Sequence, residues 1–261
     1  MGLPALTDVV RRRWPQPRKL QDALAVLLIA AVAAGGLLVQ WWVARHYYSI
    51  WRLTRGVGDT TFYSGDGRPW FPLDEARRDV SLDQVSPFVV KAVIAVEDHR
   101  FYQHPGIDPV GLARAGVLNL RRGGVVQGGS TLTQQLARTL FLSNERTWAR
   151  KAKEAVLALM LEQVLTKDQI LELYLNRIYL SGGVYGVEAM SRKLFVKPAR
   201  DLNLPEAALV AGLIRAPSAL SPWSNLDGAR QRSQTVLERM RELNFISAED
   251  ERAALRAPLR V

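Results

Sequence analysis

Residues 85–106 read VSPFVVKAVIAVEDHRFYQHPG, an apolar segment that runs directly into a polar loop. The apolar part, Val85 to Val96, has the composition of a helix that packs in a protein core. It delivers the carboxylate of Glu97 into a loop that holds aromatic rings, two histidines and a turn. A carboxylate beside apolar surface has a raised pKa and can act as an acid or a base near neutral pH. The alternative is a helix-terminal acid that only hydrogen-bonds the loop that follows.

Capping signals around and after this loop are those of successive helices. Asp108 followed by Pro109 forms an N-cap and N1 pair, and Thr166 with Gln169 fits a capping box. Glycines and prolines within residues 64–72 predict a short hairpin before the helices. The chain is therefore predicted to be mainly α. The other predicted helix starts are Ser130, Ser143, Pro205, Asn225 or Asp227, and Ser247 with Asp250.

A second apolar stretch, Ala23 to Ala44, contains no charged residue. As a helix it spans roughly 33 Å, which is enough for the hydrocarbon core of a bilayer. Basic residues precede it and Trp41 and Trp42 end it, so the N-terminus is predicted to be cytoplasmic. A cleaved signal peptide, the alternative, would have a shorter apolar core and an A-x-A-like site. We expect a cytoplasmic basic tail in residues 1–22, a transmembrane helix in 23–44 and an extracytoplasmic domain in 45–261.

Composition excludes several classes of function. The chain has 261 residues, no cysteine and three histidines, which excludes disulfides, zinc fingers and thiol chemistry and argues against a multi-histidine metal centre. The net charge of +10 indicates a polyanionic partner, whether nucleic acid, anionic lipid or phosphate. Because the predicted topology places most of the basic groups outside the membrane, lipid phosphates are favoured and nucleic acid is not expected as a partner.

A glycine-rich segment precedes the hydroxyl residues Ser130 and Thr131. A helix that starts after such glycines leaves backbone N–H groups free to bind an anion. The alternative is an ordinary flexible loop followed by an N-cap.

A basic segment at residues 146–154 is a second candidate for anion binding. By pattern alone, a solvated helix in which Arg150 pairs with Glu154 is slightly favoured over anion binding. Residues 167–176, in contrast, are interpreted mainly as core packing. The cations predicted to lie near one helix face of the basic segment are Arg146, Arg150 and Lys153.

Taken in order, these segments resemble the motifs of the peptidoglycan glycosyltransferases of family 51. Residues 97–108, EDHRFYQHPGID, resemble the first motif, and residues 128–154, GGSTLTQQLARTLFLSNERTWARKAKE, resemble the second and third. Residues 167–195 and 206–225 resemble the fourth and fifth. The resemblance extends over about residues 70–223, nearly all of the chain beyond the apolar helix.

This resemblance implies a lysozyme-like, mainly α glycosyltransferase domain with one N-terminal transmembrane helix. It implies polymerisation of lipid II into β-1,4-linked glycan, with inversion and with release of undecaprenyl diphosphate. The implied partners are lipid II, the growing lipid-linked glycan, the membrane, and other cell-wall synthesis or division proteins. The implied location is the cytoplasmic (inner) membrane, as a single-pass protein whose catalytic domain lies in the periplasm or outside.

The resemblance also carries site residues over to this chain. It makes Glu97 the catalytic base and Glu154 the second essential carboxylate, which orients nearby cations or a divalent ion. No metal site and no required cofactor are implied, although a divalent cation, Mg²⁺ or Mn²⁺, is compatible with a diphosphate. The implied substrate-binding residues are Ser130, Thr131, Gln134, Arg138, Arg146, Lys151 and Lys153.

Two positions depart from the family pattern. Leu220 stands where a tyrosine is usual and Val196 where a glycine is usual, and both are interpreted as structural or peripheral to the chemistry. The sequence contains neither S-x-x-K nor K-T-G, so it resembles the monofunctional form without a transpeptidase domain.

Two other functions compete with glycan polymerisation. A lytic muramidase would also use a carboxylate on a lysozyme-like scaffold, but it would not need a diphosphate pocket. A membrane-tethered scaffold would not need Glu97. The cations around Glu154 therefore favour the polymerase.

Overall fold

The computed structural model describes residues 17–53, 61–63, 69–72, 79–121, 129–143, 145 and 147–258. These residues fall into two compact units, one ending at Trp51 and one beginning at Arg52. Most of the described residues are helical, which confirms the mainly α prediction. The elements are α1 Pro17–Leu53, β1 Thr61–Tyr63, β2 Pro69–Pro72, α2 Pro87–Glu97, α3 Pro109–Arg121, α4 Leu132–Phe141, α5 Trp148–Val164, α6 Lys167–Arg177, β3 Tyr179–Ser181, β4 Val184–Tyr185, α7 Val187–Phe195, α8 Leu204–Leu213, α9 Leu226–Glu242 and α10 Ala248–Arg256.

Helix α1 has the length and composition needed to cross a membrane. It has 37 residues, about 55 Å of helix, and contains the whole of the predicted span 23–44. The guanidinium of Arg45 lies 5.5 Å from the centroid of the Trp41 ring. Such a cation and aromatic pair is typical of residues at the headgroup level of a bilayer.

The predicted hairpin corresponds to strands β1 and β2, which pair antiparallel with Phe62 opposite Phe71. Its turn, residues 64–68, lies outside the described residues.

Helix α8 is the centre of the second unit. All but two of its residues are buried, as expected for a helix that is apolar on every side. Helices α2 and α9 both pack against it. The contact with α9 is close, because a Cβ at Gly212 would lie 3.1 Å from Cγ of Arg232. This packing brings the end of α2, the end of α8 and the middle of α9 to one place.

The loop after α2 is held against the start of α4 by buried hydrogen bonds. Asp98 accepts one from the Leu132 backbone N–H at 3.0 Å, and His104 Nε2 lies 3.0 Å from the same carboxylate. The hydroxyl of Thr131 donates to the carbonyl of Gly106 at 2.6 Å. The position of Glu97 therefore depends on α4 as well as on its own helix.

Helix α6 does more than fill the core. The ammonium group of Lys167 donates to the carbonyl of His104 at 2.6 Å and to Glu162 at 2.7 Å. The side chain of Asn176 bonds both the N–H and the carbonyl of Val80, at 3.0 and 2.8 Å. Its buried apolar residues agree with the core-packing interpretation, and its polar residues additionally hold two loops in place.

Local capping signals located several helix starts. The capping box of Thr166 and Gln169 is confirmed at the start of α6. Asn225 caps α9, and Ser247 with Asp250 forms the capping box of α10.

Two predicted helix starts are wrong. Thr131, not Ser130, caps α4, because only Thr131 has a glutamine three residues further on. The N–H of Gln134 donates to the Thr131 hydroxyl at 3.1 Å, and the N–H of Thr131 donates back to Gln134 Oε1 at 3.2 Å. Thr147, not Ser143, caps α5, by accepting a hydrogen bond from the backbone N–H three residues further on at 3.1 Å.

Candidate active site

The C-terminal end of α2 opens into a cleft of about 790 Å³, and Glu97 lies on its wall. The starts of α3 and α4, the residues after α8 and one side of α9 complete the wall. Five arginines of the described residues line the cleft against three carboxylates, so its lining carries more positive than negative groups. The arginines are Arg114, Arg138, Arg215, Arg232 and Arg239.

Glu97 is partly buried and accepts a hydrogen bond from Gln135 Nε2 at 2.9 Å. Burial raises its pKa above the ordinary glutamate value, because the charged form loses solvation. The Gln135 hydrogen bond, Arg232 and Arg215 act in the opposite direction and favour the carboxylate. The net effect is a raised pKa, so Glu97 binds a proton more tightly than an exposed glutamate does. This property suits a general base.

The second carboxylate, Glu154, lies behind the cleft and is only 1% exposed. It accepts a hydrogen bond from Lys151 Nζ at 2.8 Å and pairs with the guanidinium of Arg150. Lys151 also donates to Ser130 Oγ at 2.8 Å. Glu154 therefore contacts two cations, one of which also binds Ser130 at the edge of the cleft.

The charge on Lys151 is sensitive to what lies in the cleft. Burial and the positive charges of Arg138 and Arg150 lower its pKa to about 8. An anion bound beside Arg138 and Lys151 would relieve this repulsion, which makes this end of the cleft suitable for a phosphate or diphosphate.

The structure brings together part of the predicted substrate-binding set. Ser130, Thr131 and Arg138 line the cleft with Glu97, and Lys151 lies directly behind Ser130.

The other predicted residues lie elsewhere. The Gln134 side chain is buried in the capping box of α4 and is not among the residues that line the cleft. Lys153 is exposed on α5 and does not line the cleft either. Arg146 lies outside the described residues. The binding roles of these three residues stay predictions.

Three of the cleft residues that were missed from the sequence act directly on Glu97. Gln135 lines the cleft where Gln134 was expected, and the T-x-x-Q pattern from Thr131 was the signal that assigns Gln134 to the cap. Arg215 lies within the stretch that resembles the fifth motif and was not singled out. Arg232 lies beyond that stretch on a helix with no distinguishing pattern, and only the fold brings it to Glu97.

Among the residues that the structure describes, no three His, Cys, Asp or Glu side chains are grouped so that they could hold a metal ion. Both carboxylate oxygens of Glu154 are already hydrogen-bonded to Arg150 and Lys151.

A mainly helical domain with a partly buried carboxylate in an arginine-lined cleft has the properties of an enzyme that acts on an anionic substrate. The comparison with protein families shows to which family the chain belongs. The chain belongs to the transglycosylase family, because the family model described as Transglycosylase matches residues 67–241.

The chain is also similar to much longer proteins. It is 51% identical over 186 residues to penicillin-binding protein 1A of Escherichia coli (strain K12), covering 71% of this chain and 22% of that one. With penicillin-binding protein 1A of Aquifex aeolicus (strain VF5) the identity is 46% over 200 residues, covering 76% and 28%. The chain thus spans about a quarter of the length of these relatives.

Among solved structures, the chain matches the crystal structure of penicillin-binding protein 1A from Haemophilus influenzae. It matches with a TM-score of 0.41 and 25% identity, covering 76% of this chain and 20% of that one.

Proposed function

We propose that this chain is a peptidoglycan glycosyltransferase that polymerises lipid II into β-1,4-linked glycan strands. The observation that carries the proposal is Glu97, a carboxylate of raised pKa on the wall of a cleft lined by arginines. Membership of the transglycosylase family supports the same reaction class. An arginine-lined cleft suits a substrate that carries a diphosphate.

In the proposed reaction, Glu97 accepts the proton of the 4-hydroxyl of the terminal GlcNAc of lipid II. The hydroxyl oxygen attacks the anomeric carbon of the MurNAc at the lipid-linked end of the growing chain. The bond from that carbon to the α-linked diphosphate oxygen breaks as the new β-1,4 bond forms, so the configuration inverts. Undecaprenyl diphosphate leaves with the bonding electrons.

The cations of the cleft would stabilise the charge on the departing diphosphate. Arg138 lines the cleft and Lys151 reaches Ser130 at its edge, and Arg146 and Lys153 are proposed to join them. Glu154 is proposed to hold Lys151 and Arg150 in position. No resident metal is proposed; a divalent ion such as Mg²⁺ or Mn²⁺ would bind the diphosphate itself.

The proposed location follows from α1. A lipid-linked substrate requires an active site close to the bilayer, and α1 is long and apolar enough to anchor the domain there. We propose a single-pass protein with a cytoplasmic N-terminus and an extracytoplasmic catalytic domain. Other cell-wall synthesis or division proteins are proposed partners.

The test is incubation of the purified chain with labelled lipid II in detergent, beside Glu97→Gln. We expect long, lysozyme-sensitive glycan from the wild type and at least a thousandfold less from the variant, an effect of about 4 kcal/mol on the barrier. The wild type is expected to remain active in EDTA. The purified chain is also expected not to be labelled by fluorescent penicillin, because its sequence contains neither S-x-x-K nor K-T-G.

Two outcomes would contradict the proposal. Substantial turnover by a correctly folded Glu97→Gln variant would remove Glu97 as the base. Intact lipid II with both proteins, together with cleavage of finished peptidoglycan by the wild type, would identify a lytic muramidase.

A further inference from the structure

A buried tyrosine on α6 is linked to Glu97 through one side chain. Tyr174 is only 2% exposed, and its hydroxyl donates to Gln135 Oε1 at 3.1 Å. The amide nitrogen of the same Gln135 donates to Glu97 Oε2 at 2.9 Å. Helices α6, α4 and α2 thus each contribute one member to a continuous chain of hydrogen bonds.

The chemistry of the three groups gives this chain a direction. An ionised carboxylate only accepts hydrogen bonds, so the amide nitrogen of Gln135 must face Glu97 and its oxygen must face Tyr174. Tyr174 can then only donate. Burial and the charge of Glu97 raise the pKa of Tyr174 well above its ordinary value, so its hydroxyl group remains protonated near neutral pH.

A protonated Glu97 can still accept from the Gln135 N–H through its carbonyl oxygen, but this hydrogen bond is weaker because the carboxylate charge is lost. A neutral Glu97 that instead donates to Gln135 needs the amide to turn over, which places the amide N–H groups against the Tyr174 hydroxyl. The hydroxyl proton of Tyr174, buried at 2% exposure, would then need another acceptor. The Tyr174 hydroxyl therefore favours the ionised form of Glu97.

We propose that Tyr174 is a positioning residue for the catalytic base: it locks the Gln135 amide in the orientation that donates to Glu97 and so favours the ionised form of Glu97. The inference rests on the proposed function, in which Glu97 is the base. Tyr174 itself is buried and does not line the cleft.

Other charged groups face Glu97 from the neighbouring elements and act at the same time. The cations favour its ionised form, whereas the adjacent carboxylate opposes it. Tyr174 in turn faces the charges of Arg138 and Asp98. All of these side chains are unchanged in the variants that test the proposal. The groups acting on Glu97 are Arg232 from α9, Arg215 from the segment after α8, and Asp98 from its own loop.

The test compares Tyr174→Phe with the wild type in the full-length chain. We expect the acidic limb of the kcat/KM profile on lipid II to move upward by about one pH unit, which is about a tenfold loss of activity below the limb. Activity should return toward the wild-type value at higher pH. A purely structural tyrosine would lower activity equally at every pH.

Tyr102→Phe is the matched control. The hydroxyl of Tyr102, like that of Tyr174, donates to a side chain of another element, in this case Asp168 of α6 at 2.9 Å. Neither Tyr102 nor Asp168 lines the cleft. This variant is expected to leave the acidic limb in place. Gln135→Met removes the side chain that links Tyr174 to Glu97. In that background, Tyr174→Phe is expected to have no further effect on the acidic limb.

A second readout needs no substrate. Because burial makes the ionised Glu97 unfavourable for folding, Glu97→Gln should raise Tm by an amount that grows with pH until Glu97 is ionised. The pH at which this difference in Tm stops growing reports the pKa, and it should be higher in the Tyr174→Phe background. An unchanged value would overturn the proposal even if the wild type polymerises lipid II. Absence of glycan from the wild type would overturn the proposed function. The role of Tyr174 would then be tested by this pH dependence of Tm alone.

Discussion

Glu97 is held between opposing influences that arise from different parts of the chain. Burial raises its pKa, while Gln135 and two arginines from later segments lower it. A general base needs both the burial that raises its pKa and the groups that favour its ionised form. A fully exposed carboxylate binds a proton too weakly, and a fully buried one would stay protonated.

The pH dependence of activity follows from these shifts. Activity should rise with pH as Glu97 loses its proton, because a base acts only in its deprotonated form. This limb should lie above the ordinary glutamate range, since burial raises the pKa. A second limb should lower activity above about pH 8, where Lys151 loses its charge. The measurement is kcat/KM on lipid II across pH, which reports the free enzyme.

Lys151→Arg provides the control for the alkaline limb. Arginine keeps its charge throughout this range, so the limb should disappear while the acidic limb stays in place. An alkaline limb that persists in the variant would assign it to another group.

Removal of the Lys151 charge should lower kcat. Lys151→Met leaves the buried Glu154 with one cation fewer and releases Ser130. We expect a loss on the order of 10²-fold in kcat, as when one donor to a developing anion is removed. Initial rates on lipid II at neutral pH measure it, with Lys91→Met, an exposed lysine of α2, as the control.

Lys153→Met tests the role implied for Lys153. A loss larger than that of Lys91→Met would place it at the substrate, and an equal effect would make it a solvated lysine of α5.

At the scale of elements, the end of α7 contains a strained residue. Val196 has φ 56° and ψ 31°, the left-handed conformation, and caps the helix. The chain is held there because Ser191 donates to the carbonyl of Lys197 at 2.7 Å and Glu188 accepts from the N–H of Ala199 at 2.7 Å. Glycine is usual at such a position because it has no Cβ.

Val196→Gly should therefore stabilise the protein. The left-handed conformation costs a residue with a Cβ about 1–2 kcal/mol, and the Val196 side chain is 89% exposed, so little packing is lost. We expect Tm to rise by about 2–4 °C, measured by thermal unfolding, with unchanged activity. Val196→Ala, which keeps a Cβ, should recover little of this gain; an equal gain would assign the effect to the branched side chain instead.

At the scale of the molecule, α1 is proposed to bring the active site to a lipid-linked substrate. Deletion of residues 1–44 should lower turnover of lipid II embedded in vesicles at least tenfold more than turnover of lipid II dispersed in detergent. The reason is that anchoring both enzyme and substrate in one membrane raises their effective concentration. Parallel rate measurements on the two substrates test this. An equal fall on both would show that these residues serve folding rather than delivery.

Much of this protein was readable from local sequence. The capping box of α6 requires only Thr166 and Gln169, because its hydrogen bonds close within four residues. The same holds for the apolar character of α1 and for the carboxylate at the end of α2. Interactions between residues close in the chain depend on little else, so the helices and the candidate base could be predicted.

The set of side chains around Glu97, in contrast, was decided by tertiary packing. Gln135, Tyr174 and Arg232 lie on three different helices, and no local pattern predicts that their side chains meet around one carboxylate. The packing of α8 between α2 and α9, through the close contact at Gly212, brings Arg232 to Glu97. The packing of α4 on α6 brings Tyr174 to Gln135. Sequence alone determined which elements form and which carboxylate ends α2, whereas the set of groups around that carboxylate depends on which helix faces meet, a property that only the folded chain possesses.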